Sequence, residues 1–460
     1  MIDELGKKYD ERAELILKSL QELLSIQSIS ADTQYGNECL KAYQWLEERL
    51  QALGFRVERI ADNVGKPILF AERLGVESVP SVLFYGHYDV QPVDPVDQWT
   101  TPPFEPQIRE GRIYARGAQD NKGQLWYVLS AIECLIQTGH KLGTIKILLE
   151  GEEEIGSPTL ARILEQERAQ FTADILLVCD TGTLDPAMAT ITMGLRGIAS
   201  CEVMVAGPKY DLHSGVHGGV VRNPALSLAR MLATLHNDSG QIAVKGFYDD
   251  LQEPSELDRQ LANSVPYNIE QYQAQVGVAA TGGETSYSLA ERRGFRPTIE
   301  VNGLHGGYGG EGGKTIIPSQ ASVKLSTRLG MGQDPSRCID LVIAHLQSVL
   351  PEDLRLTVVS RDVGGPALSL SSATPLVQRA RVILQKITGH EALCMWEGAS
   401  IPIVSALARA ARAEPLLVGF GLEEDCIHAP NESFSLSQFK KGFLFAAAFL
   451  MGLADGSSTK

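Results

Sequence analysis

The chain lacks any pair of cysteines spaced C-x-x-C. Its seven, at 39, 134, 179, 201, 338, 394 and 426, are scattered and odd in number. This argues against a thiolate zinc framework or a disulfide-stapled scaffold, and is the usage expected in a reducing cytoplasm, where buried thiols act as small hydrophobes. Also lacking is an apolar run of the roughly 20 residues that would span a bilayer. "FLFAAAFLMGLA" near the C-terminus stops after a dozen residues and follows Lys440 and Lys441, so it is expected as a buried terminal helix. The N-terminal stretch has no uninterrupted apolar core, which argues against a signal peptide and for an amphipathic helix. Basic residues are in deficit, 41 Lys and Arg against 56 Asp and Glu for a net charge of −15, which disfavours a nucleic-acid groove or an anionic membrane as partner. No repeat or low-complexity segment is present. What remains is a folded composition, 44% apolar and 21% charged, over 460 residues, long enough to expect two domains.

Residues 15–54 carry apolar positions at helical spacing and stop at Gly54. Strand-like runs follow at 67–74, 81–87, 144–150 and 173–180, with a helix expected in "KGQLWYVLSAIECLIQTG" between the second and third. Strands this continuously apolar, alternating with helices, indicate an α/β sheet covered on both faces. After Gly194 the pattern changes. "GIASCEVMVAG" and "ASVKLSTRLG" alternate polar and apolar residues, helices are expected at 223–236 and 335–350, and 245–315 reads as long loops. From 374 the α/β character resumes. The expected architecture is an α/β domain, 1–193 with 372–460, interrupted by an inserted α+β domain over 194–371.

In such sheets functional groups collect where strands end at their carboxyl edge. "GHYDVQP" closes one strand with His87, "EGEEEIGS" closes another with Glu150, Glu152, Glu153 and Glu154, and a third runs into Asp180. Asp120 in "RGAQDNKG" stands just before a helix start, and His428 lies in "DCIHAPNESF". Histidines and carboxylates together suit a divalent cation such as zinc or manganese. Two carboxylates about 4 Å apart repel by roughly 4 kcal/mol at an effective dielectric of 20, so the acid run calls for such cations. Taken singly, Asp120 also reads as a helix cap, the Glu run as a solvated loop, and His428 as surface. "GYGGEGGKT" at 307–315 imitates a phosphate loop, but G-x-x-x-x-G-K-S/T needs glycine where Tyr308 stands.

"GHYDVQP", "GRIYARGAQDNKG", "EGEEEIGS", "DLHSGVHGG", "KTIIPSQASVKLSTR" and "HAPNESF" resemble, in order and approximate spacing across nearly the whole chain, the dinuclear-metal exopeptidases: carnosine-type and bacterial dipeptidases, carboxypeptidase G and aminoacylases. The resemblance implies a zinc-exopeptidase-like catalytic domain with a mostly parallel sheet and an inserted lid and dimerisation domain. It implies that His87, Asp120 and Asp180 hold one metal and Asp120, Glu154 and His428 the other, with Asp120 bridging. The two ions per subunit would be zinc, with manganese or cobalt as alternatives, activating a water and polarising the scissile carbonyl. Glu153 resembles the general base, and Asp89 the aspartate that accepts the free N–H of His87. Glu152 has no role in this scheme and reads as a surface neighbour.

In the inserted domain His213 resembles the histidine that reaches into the partner of a homodimer and stabilises the oxyanion, with His217 as a weaker rival. Arg328 resembles the residue gripping the substrate's carboxylate, and "GASIP" a loop where Gly398 and Ser400 line the substrate. Asn121 stands where many relatives have a second Asp. Asp180 in place of Glu, and "KGFYDD", favour the dipeptidase branch. The implied activity is metal-dependent cleavage of dipeptides or short peptides with a free C-terminal carboxylate. The alternatives are an N-acyl amino acid deacylase with the same machinery, and a binding protein that has lost catalysis.

Overall fold

The computed structural model describes residues 1–61, 66–166, 169–399 and 401–455. They form two compact units: Met1–Met193 with Leu370–Cys394 and Ala406–Lys460, and Gly194–Ser369 with Met395–Ser405.

The first unit is a mixed α/β structure built on one large sheet. Its centre is four parallel strands in the order Ile145–Glu150, Val82–His87, Ile175–Val178 and Glu414–Gly419. Antiparallel strands flank them, Ile68–Arg73 and Arg56–Ala61 on one side and Thr190–Leu195 on the other. Every residue of Val82–His87 and of Ile145–Glu150 is buried. Such runs lie in the middle of a sheet covered on both faces. Helix Lys122–Gln137 is apolar nearly all round because it packs between the sheet and the terminal helix Leu436–Asp455. That last helix buries Phe439, Phe443, Phe445 and Phe449, and among the described residues no helix is long and apolar enough to cross a membrane. Truncating a core side chain such as Leu125 or Phe445 to Ala would cost about 2–5 kcal/mol.

The N-terminal segment is two helices, Ile2–Asp10 and Ala13–Leu24, and helix Gly36–Ala52 follows only after a break. The six free cysteines other than Cys426 are buried, as small hydrophobes would be.

The second unit is α+β. Its antiparallel sheet has the order Thr298–Gly306, Gln320–Leu329, Gly197–Ala206, Arg355–Gly365. Alternate residues of Gly197–Ala206 are buried against helices Pro224–Ala233 and Pro335–Ser348, around Val203, Val323, Leu325, Leu228 and Ile339. Both helices start at side-chain caps: Asn223 accepts from the N–H of Ala225, and Asp334 from that of Arg337.

The expectation of long loops over 245–315 is overturned. The segment holds helices Glu256–Ser264, Ile269–Val276 and Leu289–Gly294 and the strand Thr298–Gly306. That strand is at the sheet's edge and exposed along most of its length, so its Asn302, Gly303 and His305 never had to alternate with apolar residues.

Candidate metal centre

The parallel strands deliver their last residues to one edge. His87 ends Val82–His87, paired in register with Glu150, and Asp180 follows Ile175–Val178 by two residues. Glu153 and Glu154 open the short turn Glu153–Ile155. The cap of helix Lys122–Gln137 is Asn121, so Asp120 is not the cap, and the Asp120–Asn121 peptide is cis. His428 sits in a loop where Cys426, His428 and Asn431 all have left-handed backbones, φ 56°, 60° and 63°. Non-glycine residues hold this conformation only where their surroundings enforce it. Asn431 supplies part of that: it accepts from the N–H of Thr100 at 2.7 Å and donates to the carbonyl of Gln98 at 2.9 Å.

These pieces converge on Asp120. Its Oδ1 is 3.2 Å from His87 Nε2, and its Oδ2 is 3.0 Å from His428 Nε2. Around His87 Nε2 lie Asp180 Oδ2 at 3.7 Å and Glu153 Oε2 at 3.9 Å, while Glu154 Oε2 is 3.3 Å from His428 Nε2. His87, Asp120 and Glu154 each offer an atom within 4.8 Å of the others. One carboxylate thus faces two histidines, each of which has a further carboxylate beside it.

The electrostatics of these groups favour a cation. His87 Nε2 is buried and makes no hydrogen bond although acidic oxygens surround it. Burial disfavours its charged form, but Asp120, Asp89, Asp180 and Glu153 outweigh that and raise its pKa well above the ordinary value. His428 is pushed up to about 10 by its bonds to Asp120 and Glu154. Asp120 is held well below the carboxylate range, because the two histidines overcome its burial. Burial, with Asp120 and Glu154 adding repulsion against the pull of His87, lifts Asp180 to about 7. Burial likewise lifts Glu153 to about 9, opposed by His87 and reinforced by Asp180, Asp120 and Glu154. Four carboxylates that cannot all ionise without a counter-charge, around an imidazole nitrogen without a hydrogen bond, form a donor set that fits divalent cations.

Behind these groups stand others that hold them. The Nδ1 of His87 lies 3.1 Å from the carbonyl oxygen of Asp89 and 3.3 Å from its Oδ1. The carboxylate of Asp89 also accepts the N–H of Glu153 at 3.3 Å and of Glu154 at 3.1 Å, tying the turn to the His87 strand. Gln91 donates to Glu154 Oε2 at 2.8 Å, and Asn121 to Asp180 Oδ1 at 2.6 Å and to the carbonyl of Cys179 at 2.9 Å. At position 121 an amide thus gives Asp180 a donor, where a carboxylate would repel it. Gln91 has no role legible in the sequence, although it lies within "GHYDVQP".

The reading of Glu152 as a surface residue is wrong. It is 2% exposed and accepts the N–H of Thr159 at 3.1 Å, in the first turn of helix Pro158–Leu164. Glu150 is buried too and bonded by Tyr85 at 2.7 Å and Ser157 at 2.8 Å. Burial pushes it up to about 8 against those hydrogen bonds. Of the acid run, only Glu153 and Glu154 face the histidines.

The remaining sequence-derived residues belong to the second unit. His213 is exposed at the end of Leu212–His213, and its Nδ1 accepts the N–H of Gly215 at 3.0 Å. His217 ends the short helix Ser214–His217. Arg328 is half-buried on Gln320–Leu329, in register with Thr298 and Ile198. Gly398 accepts from Arg196 Nε at 3.1 Å. Ser400 lies outside the described residues. Arg196 itself is not foreseen by the sequence. Burial, then the charges of Arg328 and Arg293, push it down to about 10, which marks a concentration of guanidinium groups that three positions so far apart in the chain do not reveal.

Residues 83–452 match the model of the peptidase family M20/M25/M40. The chain belongs to that family. Similar proteins include the Cys-Gly metallodipeptidase of Schizosaccharomyces pombe, 27% identical over 99% of both chains, and the beta-Ala-His dipeptidase of Rattus norvegicus, 27% identical over 98% of this chain and 96% of the other. Among solved structures, an M20 family metallo-carboxypeptidase from Sulfolobus solfataricus is 30% identical with a TM-score of 0.83, covering 95% of this chain and 98% of that one. The fold of this chain is thus that of M20 peptidases, and its cluster of His87, Asp120 and Glu154 stands within a metallopeptidase chain.

Proposed function

We propose that this M20 enzyme hydrolyses the peptide bond of dipeptides and short peptides bearing a free C-terminal carboxylate, using two divalent cations, zinc in the first instance. The observation that carries this reading is the Asp120 carboxylate, one oxygen toward His87 and the other toward His428. The dipeptidase names of its full-length relatives support the substrate class.

His87, Asp120 and Asp180 would hold one cation, and Asp120, Glu154 and His428 the other. When bound, the pair supplies Lewis-acid polarisation of the scissile carbonyl and a lowered pKa for the attacking water. Burial holds a proton on Glu153, and Asp180, Asp120 and Glu154 add repulsion to it; balancing the charge of those three carboxylates would remove the repulsive part and favour its carboxylate form. Glu153 then accepts the proton of the water on a carboxylate oxygen and passes it to the leaving amine. Asp89 orients both parts, His87 through Nδ1 and Glu153 through its N–H. His213, reaching the site of a partner in a homodimer, would donate to the developing oxyanion. Arg328 would bind the terminal carboxylate, and Gly398 and Ser400 would line the substrate beside it.

The identity to the Sulfolobus carboxypeptidase favours a second reading in which longer peptides also enter. A length series separates the two: cleavage of Ala-X and Gly-X dipeptides with loss of activity at three or more residues fits a dipeptidase, whereas efficient release of the last residue from longer or N-blocked peptides fits a carboxypeptidase. Cleavage of N-acetyl amino acids alone would refute both and leave the deacylase.

A further inference from the structure

Glu432 stands four residues past His428 and is fully buried. Its Oε2 accepts from Arg116 Nη1 and from the N–H of Gly117, both at 2.8 Å. Its Oε1 accepts from the N–H of Gln119 at 3.0 Å and of Asp120 at 3.1 Å. Four donors thus converge on one carboxylate, three of them main-chain N–H groups of the loop that ends in Asp120. Arg116 is itself buried, and its Nη2 donates to the carbonyl of Pro92 at 2.9 Å. The carbonyl of Glu432 also accepts the N–H of Ala115 at 3.1 Å. The segment after His87, the loop carrying Asp120 and the loop carrying His428 therefore meet at the Arg116–Glu432 pair.

With both oxygens engaged, Glu432 would have to release main-chain donors before it took a cation, so it is not built as a ligand. An ion pair that only balanced charge would not need three amide bonds to a single loop. The position of a carboxylate such as Asp120, shared between two histidines, depends on how its own backbone is held, and here that backbone is held by the side chain of the His428 loop.

We propose that Glu432 is a positioning residue for the metal centre: it locks the 116–120 loop to the His428 loop so that the two oxygens of Asp120 face both histidines at once. The inference rests on the metal reading above. Glu432 acts only through Asp120 and His428 and touches no substrate.

The test is a Zn²⁺ titration of chelator-stripped full-length protein against a chromophoric chelator, for wild type, Glu432→Gln and the double variant R116M/E432M. The amide of Glu432→Gln keeps one acceptor oxygen but turns a donor toward the N–H of Gly117 and toward Arg116. Zn²⁺ affinity is expected to fall about 10–100-fold, the usual loss when a group orienting a ligand is removed, while KM for a dipeptide at saturating Zn²⁺ stays near wild type. The double variant removes both buried charges and so keeps a folded interior if the single variant does not, yet it still lacks the acceptor for the three N–H groups, and the same loss is expected. Wild-type Zn²⁺ affinity in either variant would overturn the proposal and reduce the pair to charge balance. Wild-type protein that takes up no Zn²⁺ would instead overturn the metal reading itself.

Discussion

Replacing Glu153 with Gln separates its two consequences, one for stability and one for catalysis. In the ion-free protein the Glu153 carboxyl is pushed up to about 9, first by burial and then, against the pull of His87, by Asp180, Asp120 and Glu154. Its ordinary value is 4.5. Between those values the folded chain keeps a proton that the unfolded chain has lost, so stability declines as pH rises through this window. At about pH 7.5, three pH units at about 1.36 kcal/mol each put the penalty at up to about 4 kcal/mol. Glu153→Gln removes a group that cannot ionise comfortably, and ion-free Glu153→Gln should therefore unfold at a higher temperature than ion-free wild type. The gain should widen from pH 6 toward pH 9 and vanish as the pH falls well below 4.5, where both states hold the proton. With metal restored, the variant should bind about as much Zn²⁺ as wild type while kcat drops about 10²–10⁴-fold, the range for a lost general base. Differential scanning calorimetry with and without chelator, elemental analysis and single-turnover hydrolysis read these effects separately. A variant with kcat within tenfold of wild type would refute Glu153 as the base. One that is less stable than wild type when ion-free would refute the electrostatic argument.

Metal uptake should release protons. His428 is held at about 10 by Asp120 and Glu154 and must lose its proton to bind a cation, so Zn²⁺ affinity should strengthen as pH rises from 6 toward 9, with calorimetric enthalpies that depend on the buffer. A flat profile would contradict it. Asp120→Asn leaves each histidine without its shared carboxylate, and the variant should lose both ions and all measurable turnover. Retention of two ions would show that Asp120 does not bridge. Arg328→Lys should raise KM about tenfold or more for dipeptides with a free carboxylate and leave kcat nearly unchanged, since a planar fork is exchanged for a point charge. An equal effect on C-terminally amidated peptides would argue against a carboxylate grip.

The central sheet and two residues of the candidate site are legible in the sequence for one physical reason. A strand buried on both faces is continuously apolar, so a histidine or acid at its exit, as at His87 or Asp180, stands out. The edge strand Thr298–Gly306 is largely exposed, needs no such pattern, and so reads as loop. Glu152 reads as surface because acids in a row look solvated, whereas its carboxylate is consumed by the N–H of Thr159. Glu432 and Gln91 lie within recognisable motifs, but what they hold, backbone N–H groups and another side chain's oxygen, appears only in three dimensions. Arg196 lies far along the chain from Arg328, and nothing local to either signals that their charges interact.

The most direct test of the account is metal content by elemental analysis, paired with hydrolysis of a dipeptide panel before and after chelation. The account predicts close to two divalent ions per chain and dipeptide cleavage that disappears with chelator and returns with Zn²⁺ or Mn²⁺. Full cleavage by protein stripped of metal, or a chain that binds no ion, would contradict it.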